Sequence, residues 1–296
     1  MGSMREIKQR INATQKTSQI TKAMYMVSAS KLKKAERSIL NFRPLTKRLM
    51  ASLARILEND HSLTHAMLES REVKKTLYVL VSSDRGLAGP YNANVFKAFS
   101  YHVEKNHQSN DEFVVATLGY KAYSFVKRKG YQNYNDEVIQ VRDDIQFLDF
   151  QSLTDDFIKD YLKGSFDQVN VFYNRFVNTI TQRVESETIL PLNRNNFLLS
   201  NITEEKPSGL KSIYHYEPSA QSVLTNLIPM VVVNLLYGMI LESKASEHAS
   251  RMTAMKSATD NAKELIKDLQ LHYNRARQDA ITIELTDIIG GANAVN

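Results

Sequence analysis

A seven-residue repeat toward the C-terminus constrains this chain more than any other feature. Met252, Thr259, Ile266, Tyr273 and Ala280 form one line, and Met255, Ala262, Leu269, Ala276 and Ile283 form the line three residues on. Two such lines keep one stripe of a helix turned toward a partner helix, and alanine and threonine on the stripe let the backbones approach closely. The N-terminus supplies a partner. From Arg5 to about Asn59 there is no glycine and one proline, Pro44, in a stretch rich in lysine, arginine, leucine, alanine and glutamine, which all lose little on entering a helix. Ile11, Ser18, Tyr25, Leu32 and Ile39 hold a facing seam, with Thr14, Thr21, Ser28, Ala35 and Phe42 beside them. Ile20, Met24 and Val27 make a second apolar strip on another face. At about 1.5 Å per residue the two helices would be roughly 80 Å and 100 Å long, too long for a compact domain of this size. The expectation is an antiparallel coiled coil of residues 1–60 and 208–296, protruding from a head built by residues 74–200. Pro44 removes a backbone donor and is expected to bend or break the first helix near Phe42.

The middle of the chain has a different grain. Leu77 to Val81 is a short aliphatic run, followed by the turn Ser82-Ser83-Asp84-Arg85-Gly86-Leu87-Ala88-Gly89-Pro90 and by helical spacing from Tyr91 to Val103. Phe113 to Leu118 reads as a second buried strand, ended by Gly119 and followed by a helix to about Lys129. Gln151 to Leu162 is helical, Val169 to Phe176 alternates as a strand, and Arg183 to Leu192 reads as a last strand closed by Pro191. Strands alternating with helices at this spacing make a small α/β, Rossmann-like layer with a largely parallel sheet. Asn193 to Lys211 is the polar return to the long C-terminal helix.

Composition narrows the chemistry. There is no cysteine among the 296 residues, so disulfides and thiolate metal sites are excluded and a reducing, cytosolic setting is expected. The most apolar run, Leu227 to Leu241, is interrupted by Pro229, Asn234 and Gly238 and is shorter than the roughly 20 residues a membrane span needs. A soluble protein is expected. The net charge of +6 is concentrated at one end, because thirteen basic residues between Arg5 and Glu58 face only Glu6, Glu36 and Glu58, leaving +10 there. Such a helix suits an acidic partner, whether nucleic acid, anionic lipid or acidic loops of another protein.

No catalytic arrangement emerges. Gly86 and Gly89 lack the third glycine of a dinucleotide fingerprint, and Pro90 removes a donor where the helix begins. No glycine is followed by lysine, so a phosphate-cradling P-loop is absent. His61 and His65 are four apart without a third ligand in register. The pairs Asp143-Asp144 and Asp155-Asp156 suit turns and helix starts, and Ser82 and Ser83 suit turn formation. No metal, cofactor or catalytic residue is expected.

Three segments together point to a family. Ile20-Thr21-Lys22-Ala23-Met24 with Met26-Val27-Ser28-Ala29-Ser30-Lys31-Leu32 is the first, and Ser83-Asp84-Arg85-Gly86-Leu87 the second. The third runs from Ala249-Ser250-Arg251-Met252 through Ala258-Thr259-Asp260-Asn261-Ala262 and Tyr273-Asn274-Arg275-Ala276-Arg277-Gln278 to Ile281-Thr282 and Glu284-Leu285-Thr286. In this order and spacing they resemble the γ subunit of F-type ATP synthase. The resemblance implies a non-catalytic central rotor: a shaft inside a ring of α and β subunits, with its foot on a membrane ring of c subunits beside ε, peripheral to the cytoplasmic face of a bacterial membrane. It implies ring contacts at Met24, Arg251, Gln278, Thr282, Glu284 and Thr286. It implies foot contacts near Tyr214, Tyr216 and Glu217 and in the turn of Asp84, Arg85 and Gly86. The turn departs from the family by continuing Gly-Pro-Tyr-Asn where a second glycine is more usual. The competing expectation is a basic coiled-coil adaptor for nucleic acid or anionic membrane.

Overall fold

The computed structural model describes residues 4–60, 62–144, 146–193 and 215–295. Its elements are α1 (Met4–Asn59), β1 (Thr76–Val81), α2 (Tyr91–Asn106), β2 (Phe113–Leu118), α3 (Tyr120–Lys129), α4 (Phe147–Leu162), β3 (Gln168–Phe176), β4 (Gln182–Leu190) and α5 (Ala220–Val295). Two compact units emerge, one comprising Ser30–Ser250 and the other the residues up to Ala29 together with those from Arg251 onward. Each terminal helix therefore contributes to both. The polar return Asn193–Lys211 lies, apart from Asn193, outside the described residues.

The unit Ser30–Ser250 is built on a four-stranded sheet of order β2-β1-β3-β4. β1 pairs in parallel with β2 and β3, and β4 runs antiparallel to β3 as an edge. Every residue of β1 and β2 is buried, because helices cover both faces, and this explains their continuous apolar character. Tyr78 and Leu80 face one way, onto Val95, Phe99 and Val103 of α2 and Ala122 and Phe125 of α3. Leu77, Val79 and Val81 face the other way, into a core with Phe150, Phe157 and Tyr161 of α4, Leu53 and Leu57 of α1, and Leu224, Ile228, Leu236 and Ile240 of α5. The alternation along β1 sorts its side chains into two cores.

One expectation about the helices needs correction. α1 is not broken near Phe42 but continues through Pro44. A proline inside a helix costs about 3 kcal/mol, and the flanking turns are anchored well enough to bear it: Ile39, Leu53, Ala54 and Leu57 are buried and Phe42 packs edge-on to Tyr237 at 5.1 Å. α5 likewise runs through Pro229 and Gly238, so its apolar start is long and apolar enough to cross a membrane on composition alone. What accounts for that apolarity is packing, since Leu224, Ile228, Val232, Leu236 and Ile240 are fully buried in the core.

In the other unit the two helix ends pair. Ile11 on α1 and Met255, Thr259 and Ala262 on α5 are buried, and the hydroxyls of Thr21 and Thr259 lie 2.7 Å apart. The small seam residues are what allow two backbones to come within reach of so short a bond. With Thr21 facing Thr259 in an antiparallel pair, Met4 lies opposite about residue 276. The last member of the seam line, Ile283, is 62% exposed and lies about seven residues beyond the level of Met4 in this register. Ile20 and Val27 on the second strip are also exposed, while Met24 is half-buried.

Candidate functional site

In an open parallel sheet the ligand crevice lies beyond the carboxyl ends of the strands, where the chain switches direction. Here that point is between β1, which leads to β2, and β3 on its other side. The crevice is filled by α5. Tyr91 Oη, at the start of α2, lies 2.6 Å from Ser243 Oγ. Ser246 Oγ donates to the Asn174 carbonyl at 2.9 Å, Asn174 Nδ2 donates to the Tyr91 carbonyl at 3.2 Å, and Ser250 Oγ donates to the Ala88 carbonyl at 2.7 Å. Serines are small enough to let the helix backbone approach, and their hydroxyls satisfy groups that burial would otherwise leave unpaired. The turn after β1 is thus a seat for a helix.

The turn's own geometry follows from short polar side chains. Asp84 Oδ1 accepts from the Tyr120 amide at 3.0 Å, Ser83 Oγ donates to the Arg85 carbonyl at 2.7 Å, and Asn92 Nδ2 donates to Ser83 Oγ at 2.8 Å. Ser82 Oγ accepts from the Ala122 amide at 2.7 Å. Leu87 sits at φ 63°, a left-handed conformation rare for such a side chain, and its side chain is 64% exposed.

A second polar cluster grips α5 a third of a turn away. Lys244 Nζ donates to the Val141 carbonyl at 2.8 Å and reaches Glu247 Oε2 and Asp143 Oδ1 at 3.0 Å each. His248 Nε2 lies 3.0 Å from Asp143 Oδ1, and Lys31 Nζ on α1 lies 2.7 Å from Asp143 Oδ2. Asp143, expected to serve only a turn, instead joins both long helices to the stretch between β2 and α4. The bond from His248, aided by Lys31 and Lys244, holds its carboxyl far below the usual carboxylate range against the opposing effect of burial. Burial alone would lower the Lys244 ammonium, but Glu247 and Asp143 outweigh it and raise it above its ordinary value.

A pH dependence follows from the Asp143 shift. A depressed carboxyl stabilises the fold above its unfolded value, near 3.8, and that contribution is lost as pH falls further. Thermal melting of Asp143→Asn is therefore expected to differ from the parent at pH 7 and to converge on it at acid pH. A constant difference from pH 7 to acid would contradict the assignment.

The residues expected to make contacts fall into separate groups. Met24 faces about residue 256 in the antiparallel register set by the threonine pair, which puts it within about 8 Å of Arg251 along the helix axis. Gln278, Thr282, Glu284 and Thr286 are exposed roughly 40 Å further along α5, with Thr282 Oγ1 and Thr286 Oγ1 bonded back to the carbonyls four residues earlier. The foot set is not brought together. Tyr216 Oη accepts from Asn59 Nδ2 at 3.4 Å, near the start of α5, whereas the Asp84, Arg85 and Gly86 turn sits at Ser250, roughly 45 Å along that helix from Ala220. Tyr214 lies outside the described residues, and so does His61. His65 Nδ1 accepts from the Met67 amide at 3.2 Å, so it serves a turn. Among the described residues no group of three suitable side chains could hold a metal. Sequence reasoning missed the roles of Lys244, Glu247 and His248, although charged residues amid the small residues from Ser243 to Ser250 were a usable signal.

One unit is thus a slim antiparallel helix pair, and the other an α/β layer whose switch-point crevice is occupied by α5. Comparison with known proteins narrows the class: the family model described as ATP synthase matches residues 3–295. The ATP synthase gamma chain of Staphylococcus saprophyticus is 42% identical over 295 residues, covering 100% of both chains. The chain belongs to the ATP synthase gamma chain family. Among solved structures it is similar to a chain of the central stalk and c-ring of the Tetrahymena thermophila mitochondrial ATP synthase, with TM-score 0.60 and 26% identity, covering 81% of this chain and 99% of that one. A chain of the Euglena gracilis mitochondrial OSCP/F1/c-ring assembly has the same fold, with TM-score 0.65 at 18% identity over 99% of this chain and 94% of that one.

Proposed function

We propose that this chain is the central-stalk rotor of a proton-translocating F-type ATP synthase, coupling proton flow through a membrane ring to ATP synthesis and hydrolysis at neighbouring β subunits. The observation that carries this reading is the pairing of the two chain ends through small seam residues, which makes a slim rod that still leaves apolar residues uncovered. The rod itself is non-catalytic. Its partners are the α and β subunits of a catalytic ring, the ε subunit and the c ring, and through these it is peripheral to the cytoplasmic face of a bacterial membrane.

An asymmetric rod pressed against three like sites gives each a different set of contacts, and a partner shifts a conformational equilibrium only through such differences. We assign ring contacts to Met24 and Arg251 at one level and to Gln278, Thr282, Glu284 and Thr286 at another. The basic residues of α1, including Arg5, Lys8, Arg10, Lys16 and Lys22, favour acidic loops on those neighbours. Tyr216 and Glu217 belong to the foot. The Asp84, Arg85 and Gly86 turn, roughly 45 Å along α5 from Ala220, meets ε or the c ring at another level of the foot.

Reconstituting the catalytic ring and membrane sector with and without this chain tests the reading. Proton pumping driven by ATP is expected only when the chain is present. Pumping that persists at full rate in its absence would rule the rotor out.

A further inference from the structure

All eight residues from Ser243 to Ser250 on α5 are buried, and six of them are polar or charged: Ser243, Lys244, Ser246, Glu247, His248 and Ser250. Between Leu224 and Leu241 the same helix is held by apolar contacts. The two kinds of contact constrain different things. Dispersion contacts are individually weak and non-directional, so a helix can turn slightly against an apolar face at small cost. Hydrogen bonds weaken steeply once bent, so a set of them aimed from two directions fixes the angle of a helix about its own axis.

The two directions are present. Ser243, Ser246 and Ser250 form one stripe of α5, bonded to Tyr91, Asn174 and Ala88. Lys244, Glu247 and His248 form a second stripe roughly a third of a turn away at 3.6 residues per turn, and two of these three meet Asp143. The other carboxylate oxygen of Asp143 takes Lys31 of α1. One side chain from the stretch between β2 and α4 thus touches both terminal helices.

We propose that Asp143 is a positioning residue that locks the angular setting of α1 and α5 against the α/β sheet, so that turning force on the sheet reaches both helices without slip. This rests on the rotor reading above. Asp143 itself stands partly in solvent, but the groups it holds on α5, Lys244 and His248, are buried, and Lys244 spends its donors on Val141, Glu247 and Asp143, so directional bonds fix one arrangement of the helix. His248 Nδ1 is buried without a hydrogen-bond partner among the described residues, so its ring is held by Nε2 and Asp143.

The test uses the complete complex in membrane vesicles, comparing the parent with Asp143→Asn and Asp143→Glu. ATP hydrolysis by Asp143→Asn is expected to stay within about twofold of the parent, while protons pumped per ATP fall by roughly fivefold or more, the scale of a lost bond to a charged group after screening. Asp143→Glu restores most of the pumping. Full coupling in Asp143→Asn overturns the inference, as does a parallel fall of hydrolysis, pumping and subunit content that glutamate does not rescue. If Asp143→Asn fails to assemble, Lys31→Gln, which removes the α1 leg alone, is expected to uncouple in the same sense, and normal coupling there is equally fatal. Vesicles lacking the whole chain separate the two levels: pumping without it defeats the rotor reading, whereas a rotor requirement alongside a coupled Asp143→Asn defeats only the role of Asp143.

Discussion

Gly119→Ala is expected to cost the α/β unit about 3 kcal/mol or more, a large share of the 5–15 kcal/mol by which a typical domain is stable. Gly119 has φ +96°, and a Cβ there would lie 2.3 Å from the Ser82 carbonyl oxygen. That oxygen belongs to backbone and cannot swing away. The same junction carries the Ser82 amide to the Leu118 carbonyl at 2.8 Å, the Gly119 amide to the Ile139 carbonyl at 2.8 Å, and Ser82 Oγ to the Ala122 amide. A shift large enough to admit a methyl group therefore disturbs the start of α3, the strand β1 exit and the turn that seats α5. Denaturant unfolding of the purified chain measures the loss. Gly86→Ala, where a Cβ meets nothing within 4 Å, is the matched control and should change stability by less than about 0.5 kcal/mol. Equal stability of the two variants would mean that the close approach at Gly119 is wrong.

Ala262→Trp is expected to force the helix pair apart. Ala262 is 8% exposed, one turn from Thr259 and its 2.7 Å contact with Thr21. Overpacking a closed site costs about 1–3 kcal/mol, and two helices without a third layer have little else to offset it. The expected readouts are reduced helicity on mild heating and loss of incorporation into the ATP synthase complex. Ala276→Trp should do much less, because Ala276 is only half-buried. If Ala262→Trp assembles and turns over like the parent, the seam assigned to this face is wrong.

Much of the architecture was legible in the amino-acid order because it depends on local periodicity. The strand Phe113–Leu118 and the helix starts at Tyr91 and after Gly119 were recognisable from a switch between apolar runs and helical spacing, punctuated by glycine. The seams on α1 and α5 were legible for the same reason: Leu32, Ile39, Met255 and Ala262 recur at seven-residue intervals and are buried. Pro44 misled because a local penalty of a few kcal/mol was weighed without the tertiary packing that offsets it. β4 turned antiparallel, which strand spacing alone does not reveal.

Local pattern, then, determined that this chain has two long helices with small-residue seams, a basic first helix, and a small α/β layer without cysteine. Only the tertiary structure decided what fills the crevice beyond β1 and β3, which seam residues are buried, and that Asp143 meets Lys31, Lys244 and His248. The reason is physical. Periodicity records which face of an element is apolar, whereas the hydroxyl bonds of Ser243, Ser246 and Ser250 and the charges around Asp143 join residues many tens of positions apart, and such pairs acquire partners only when the chain has folded.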